Sequence, residues 1–124
     1  MKIESFTEIE AWKQARYFVS DVYNVFAKGN SKNDFGFRDQ IQRASVSIMS
    51  NIAEGFDSGS RKSFIQFLTY SYRSASEVES LLFVALDIHY IDVNQHNELM
   101  SQLNSIKKLI GGFIRYLKTS QNSN

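Results

Sequence analysis

Across its 124 residues this chain contains no proline. Proline removes a backbone donor and clashes with the preceding turn, costing a helix interior about 3 kcal/mol. Without it, helices end only where glycine, a capping side chain or a loss of apolar periodicity ends them. The length leaves room for one domain around one core. With 43% hydrophobic and 22% charged residues, the chain is too apolar to stay disordered.

Four helical stretches follow from these signals. Thr7 with Glu10 fits a capping box, and Ile9, Trp12, Ala15, Val19, Val22 and Phe26 then recur at three- and four-residue steps. The polar stretch from Lys28 to Asp34 ends that stripe. A second helix is expected from Phe37 to Glu54, with Ile41, Ala44, Ser45, Ile48 and Ile52 inward and Gly55 as its C-terminal cap. Ser60 is placed to cap a third helix running to His89. Its inner side is Phe64, Phe67, Leu68, Ser71, Ala75, Val78, Leu82 and Ala85. Asp92 with Gln95 opens a fourth, whose seam Leu99, Leu103, Ile106, Ile110, Phe113 and Leu117 keeps a heptad spacing. The expected fold is all-α: an antiparallel up-down-up-down four-helix bundle over residues 1–118, with a flexible tail at 119–124.

Several function classes lack their residues. The acid Glu4 interrupts the N-terminal stretch where a signal peptide needs an apolar run, and the apolar run Leu81 to Leu86 is far too short to span a bilayer. A cytoplasmic protein without membrane contact is the expectation. There is no cysteine for a disulfide or thiolate metal site. Di-iron bundles need Glu-x-x-His pairs, and no glutamate here has a histidine three residues on. His89 and His96 flank one loop, where solvated surface is the plainer reading than a metal site. No glycine precedes a lysine, so there is no phosphate-binding loop. The expectation is a protein that is not an enzyme and carries no cofactor.

Apolar residues exceed what one bundle buries. Leu81, Leu82, Phe83, Val84, Ala85 and Leu86 surround the third helix, and Phe18 and Val25 lie off the first helix's seam. Gly111 and Gly112 stand inside the fourth helix, where two glycines cost about 2 kcal/mol relative to alanine. Amphipathic edges and aromatic collars are one account of this surplus. A second interface, and hence a homo-oligomer, is the favoured one, with Phe18, Val25, Leu81, Phe83, Val84, Gly111 and Gly112 as interface candidates.

Two polar features remain. Gln40, Arg43, Ser47, Asn51 and Glu54 form a stripe on the second helix, either an inter-helix or inter-subunit network or a row facing a ligand. In the expected network Arg43 lies level with Ser74 and Glu77, Glu54 lies near Arg61, and Arg43 is structural. The chain's net charge is only +1, so nucleic-acid binding would depend on local clustering. The bundle brings Arg61, Lys62, Arg115 and Lys118 to one end, with Lys107 and Lys108 about 15 Å up the wall. Glu4, Glu8, Glu10, Glu54 and Asp57 share that end and are the natural counter-charges.

The stripe also carries a family resemblance. Gln40-Ile41-Gln42-Arg43-Ala44, Ser47-Ile48 and above all Asn51-Ile52-Ala53-Glu54-Gly55 resemble the signature of the 23S rRNA intervening-sequence proteins. Phe6 with Ala11 to Ala15, Ser63-Phe64 with Phe67-Leu68, and Ser74 with Glu77 to Glu79 and Leu82 are similar to further parts of that pattern, spanning about residues 6–117. Arg73 departs from it, standing where the family often has a small residue. The resemblance implies a four-helix bundle assembled into a ring, a homopentamer. It also implies nucleic-acid association and kinship with accessory proteins of reverse transcriptases in diversity-generating retroelements, which adds a protein partner. The functional expectation is therefore a non-catalytic oligomeric scaffold that binds RNA or DNA backbone. The alternative is a protein-protein adaptor with no nucleic-acid role.

Overall fold

The boundary signals resolve, in a computed structural model that describes residues 2–120, into α1 (Glu10–Phe26), α2 (Phe35–Asp57), α3 (Arg61–Asp87) and α4 (Val93–Ser120). No strand occurs among the described residues, and none of the helices is long and apolar enough to cross a membrane. Pairs of contacts set the helix directions. Early α3 meets late α4 at Phe64–Phe113, and late α3 meets early α4 at Phe83–His96, with ring centroids 5.0 and 4.8 Å apart. Ser47 and Ser74 hydroxyls lie 2.8 Å apart, and Ser71 Oγ donates to Ile48 O at 2.7 Å, which sets α2 against α3 in the same reversed sense. Ser105 Oγ donates to Gln14 Oε1 at 2.8 Å, while Asp21 to Val25 lie beside Gln95 to Gln102. Successive helices are therefore antiparallel around one core, with Phe18, Phe26, Ile41, Ile48, Ile52, Leu68, Leu82, Leu103, Ile106 and Ile110 fully buried.

The inner faces of α2, α3 and α4 are those expected, with Phe64, Phe67 and Phe113 half-buried at their edges. Ser60 caps α3, its side chain accepting from Ser63 N at 3.1 Å. Asp92 and Gln95 bond reciprocally, at 2.7 Å from Gln95 N to Asp92 Oδ1 and 3.0 Å from Asp92 N to Gln95 Oε1.

The first helix is rotated from the expected seam. Ala11, Ala15, Phe18, Val22 and Phe26 are its buried residues, so Phe18 is core and not an interface candidate. Phe18 and Val19 are adjacent apolar residues about 100° apart on the helix, and the larger one takes the interior. Thr7 does not cap α1. Ser5 instead accepts from Thr7 N at 3.2 Å and caps a 3-10 turn over Phe6–Glu8. Ile9 then plugs into the core, 3% exposed, and Phe6 meets Trp12 edge-on at 5.2 Å.

Other ends shift by a few residues. α2 starts after Asp34, whose carboxylate accepts from Phe37 N at 3.1 Å, and it runs past Gly55. Gly55 is buried within the helix against Phe64 and Phe67. It is Gly59 that takes the left-handed backbone, at φ +88. α3 ends at Asp87, where Tyr90 N bonds Ala85 O and His89 N bonds Leu86 O. His89 occupies the left-handed position there at φ +64, a place usually held by glycine. α4 continues through Thr119 and Ser120, and the rest of the expected tail, 121–124, lies outside the described residues.

At this loop end, Tyr90 donates its hydroxyl to Asp34 Oδ2 at 2.5 Å, and Phe37 stacks edge-on between Phe26 and Tyr90. The Tyr90 hydroxyl, with help from the Phe37 amide, holds the Asp34 carboxyl below its ordinary pKa. The same bond holds the Tyr90 phenol above its own.

Candidate functional site

The polar stripe of α2 divides into a seam and an exposed rim. Ser47 bonds Ser74 across to α3, and Asn51 Nδ2 donates to Ser47 O and Oγ at 2.9 Å each. Those residues are structural. Gln40 and Glu54 are exposed. The inter-helix partner expected for Arg43 is not found among the subunit's described residues. The Arg43 side chain is 80% exposed and bonds Asp39 on its own helix at 2.9 Å, not a residue of α3. Position 43 points outward along α2, and the four-residue offset of Asp39 offers a partner without crossing to another helix.

The basic candidates gather more closely. Lys107, Lys108 and Arg115 line one groove with Tyr72, Asn104 and Gly111, with a volume of about 370 Å³. Lys62 lines a neighbouring groove of about 370 Å³ round the outer side of α3, with Ile65, Gln66, Thr69, Tyr70 and Arg73. Lys118 is exposed one turn beyond Arg115, and Arg61 is half-buried at the start of α3. Tyr72, Tyr70 and Arg73 are the members that periodicity did not single out. A signal for them exists in the sequence: no Asp or Glu occurs from Ser58 to Ser76 or from Leu99 to Ser120. The segments 58–76 and 99–120 face each other through Phe64 and Phe113. The expected counter-acids lie on the N-terminal segment, α1 and the end of α2, and Glu79 of α3 reaches Lys107.

Lys107 differs from its neighbours. Its Nζ lies 2.7 Å from Glu79 Oε1, with the lysine side chain 18% exposed, and 5.1 Å from the Tyr72 ring centroid. Its charge is already matched within the fold. Lys108 and Arg115 present theirs at the exposed surface of α4. The wall can hold anions by charge and hydrogen bonding.

The apolar candidates separate as well. Val25 and Leu81 pack half-buried against the core. Phe83 and Val84 are 49% and 44% exposed, and Ile88 and Val93 add to apolar surface near the α3–α4 loop. His96 is buried at 7% exposure against the Phe83 ring, not on the solvated surface expected for it. It lies three residues before Leu99 and so extends the α4 seam. Gly111 and Gly112 are half-buried, and a Cβ at either would meet no atom of another helix within 4 Å.

Comparison with known proteins agrees with this architecture. No curated protein matches the chain. A crystal structure of a protein with unknown function, from the S23 ribosomal protein family of Bacteroides thetaiotaomicron, is similar in fold, with a TM-score of 0.78 and 26% identity. That likeness covers 85% of this chain and 95% of the other. The family model described as 23S rRNA-intervening sequence protein matches residues 7–112, from the first turn to the glycine pair of α4. This chain belongs to the 23S rRNA-intervening sequence protein family.

Proposed function

We propose that this protein is a non-catalytic, oligomeric scaffold that binds the phosphate backbone of nucleic acid along its α3–α4 wall. The observation that carries this reading is the segregation of charge. A chain with fourteen basic and thirteen acidic residues keeps 58–76 and 99–120 free of acids, and those segments share one face. Backbone binding depends on such local clustering and not on net charge. Family membership supports the reading, since the family takes its name from rRNA insertions.

Assembly into a ring would repeat the wall around an axis and turn modest charge into multivalent contact. The exposed Phe83, Val84, Ile88 and Val93 are the surfaces we assign to contact between copies. Light scattering on the purified protein should give several times 14.3 kDa, and a monomer at micromolar concentration would contradict the assembly. Retention on immobilised RNA or DNA should be firm at low salt and fall steeply as salt rises.

The second reading is a protein-protein adaptor, which the same exposed apolar patch favours. The resemblance to retroelement accessory proteins would make a reverse transcriptase one such partner. An intact oligomer that ignores nucleic acid at low salt would favour the adaptor.

A further inference from the structure

Cations alone do not separate a duplex from a single strand, because both offer phosphates. Single-strand sites add aromatic surface among the cations, on which an unpaired base stacks. The α3–α4 wall has that composition in its groove, and a second groove on the outer side of α3, lined by residues of that helix alone, repeats it. In the first, Tyr72 stands with Lys108 and Arg115. In the second, Tyr70 stands with Lys62 and Arg73.

Both rings are held at the surface. Lys107 lies over one side of Tyr72 while Glu79 holds its charge. The Tyr70 hydroxyl accepts from Gln66 Nε2 at 2.6 Å. Tyr70 and Tyr72 are 39% and 36% exposed, far more than core aromatics such as Phe18 and Phe26. Gly111 keeps the first groove open, because the nearest atom to a Cβ there is Arg115 Nη1, at 3.6 Å.

Resting on the nucleic-acid reading above, we propose that the α3–α4 wall takes single-stranded nucleic acid. A phosphodiester lies on Lys108 and Arg115 above Gly111, and a base packs on the exposed surface of Tyr72. The groove of Tyr70, Lys62 and Arg73 extends the track round α3 for the rest of the strand. Contacts of this kind read stacking and charge, so a strand is bound with little sequence preference.

Fluorescence anisotropy on the full-length protein tests this, with labelled oligouridine, oligothymidine and a duplex of the same length. Single strands should bind about tenfold more tightly than duplex or better. Tyr72→Ala should weaken single-strand binding by roughly tenfold, and Tyr72→Phe should restore it, since the ring is what stacks. Gly111→Leu should also weaken it by filling the groove, and it tests the groove independently should Tyr72→Ala fail to fold. Duplex binding as tight as single strand, or wild-type affinity in folded Tyr72→Ala, overturns the proposal. So does a Gly111→Leu protein whose assembly mass changes while its affinity does not, which makes the notch a subunit seam. Retention of neither strand nor duplex is a different result and overturns the nucleic-acid reading itself.

Discussion

A methyl group added at Gly55 would meet Phe64 Cδ1 at 2.8 Å and Phe67 Cβ at 2.9 Å, whereas one added at Gly111 or Gly112 would meet only Arg115's guanidinium, at 3.6 and 3.8 Å. All three glycines are helical and forgo alanine's intrinsic helix propensity. At Gly55 the reason is inside the molecule. Small residues at the α2–α3 seam let Ser71 bond a backbone carbonyl of α2 and Ser47 reach Ser74. At Gly111 and Gly112 a methyl group would meet no other helix within 4 Å. The comparison separates a position fixed by packing from two positions where added volume meets only a flexible side chain.

The largest effect is expected at the inner glycine. Gly55→Ala should destabilise the protein by about 2 kcal/mol, since overpacking costs roughly 1–3 kcal/mol and outweighs the helical gain. A denaturant titration reads this directly. Stability equal to wild type would mean that the seam yields and the comparison fails.

Gly111→Ala and Gly112→Ala should move the other way, each adding up to about 1 kcal/mol because the added methyl finds ordinary contact distance. If the same variants also lose binding or assembly, the bare surface has an external use. Destabilisation by either would point to an internal constraint that the static packing does not display.

The loop end tests whether a polar tie can match shape-fixed packing. Asp34→Ala removes the α2 cap and the Tyr90 bond, and should lower the melting temperature by roughly a few degrees near neutral pH. Because its carboxyl pKa is lowered on folding, Asp34's contribution is present above its unfolded pKa and fades as pH falls through the folded one. Tyr90 has the opposite sign: its pKa is raised, so its contribution persists below the unfolded phenol pKa and is lost as pH climbs through the folded value. The Asp34→Ala deficit should therefore shrink in acid. A deficit independent of pH would remove the ionised carboxylate from the account.

The smallest effect is assigned to Arg43. An exposed pair four residues apart on one helix contributes about 0.3–0.5 kcal/mol, so Arg43→Ala should leave the subunit's melting nearly unchanged. A loss of several kcal/mol would mean that assembly buries this residue.

Much of the fold was legible because α2 and α4 each have one clear apolar stripe, and that of α3 blurs only from Leu81 to Leu86. Their ends moved where two signals competed. Ser5 and Thr7 are both plausible caps, and burial of Ile9 decided between them. Phe18 and Val19 give two seams of similar periodicity, and side-chain volume chose one. His96 was missed because its polarity outweighed its place on the seam. The basic wall was half legible. Its lysines and Arg115 stand out singly, but Tyr72 joins Lys107, Lys108 and Arg115 only once antiparallel packing brings α3 beside α4. The acid-free runs at 58–76 and 99–120 were present throughout, and they carry more of the argument than any single cation.

The central claim, that this wall binds nucleic-acid backbone, is tested most directly by charge reversal at Lys108→Glu with Arg115→Glu, two exposed positions outside the core. Affinity for RNA should be measured across a salt series beside wild type, with the oligomer checked by light scattering. Wild-type log affinity should fall linearly with log salt, and the double variant should bind more weakly at low salt with a slope shallower by about 2. A folded, assembled double variant with wild-type affinity and slope would contradict the account.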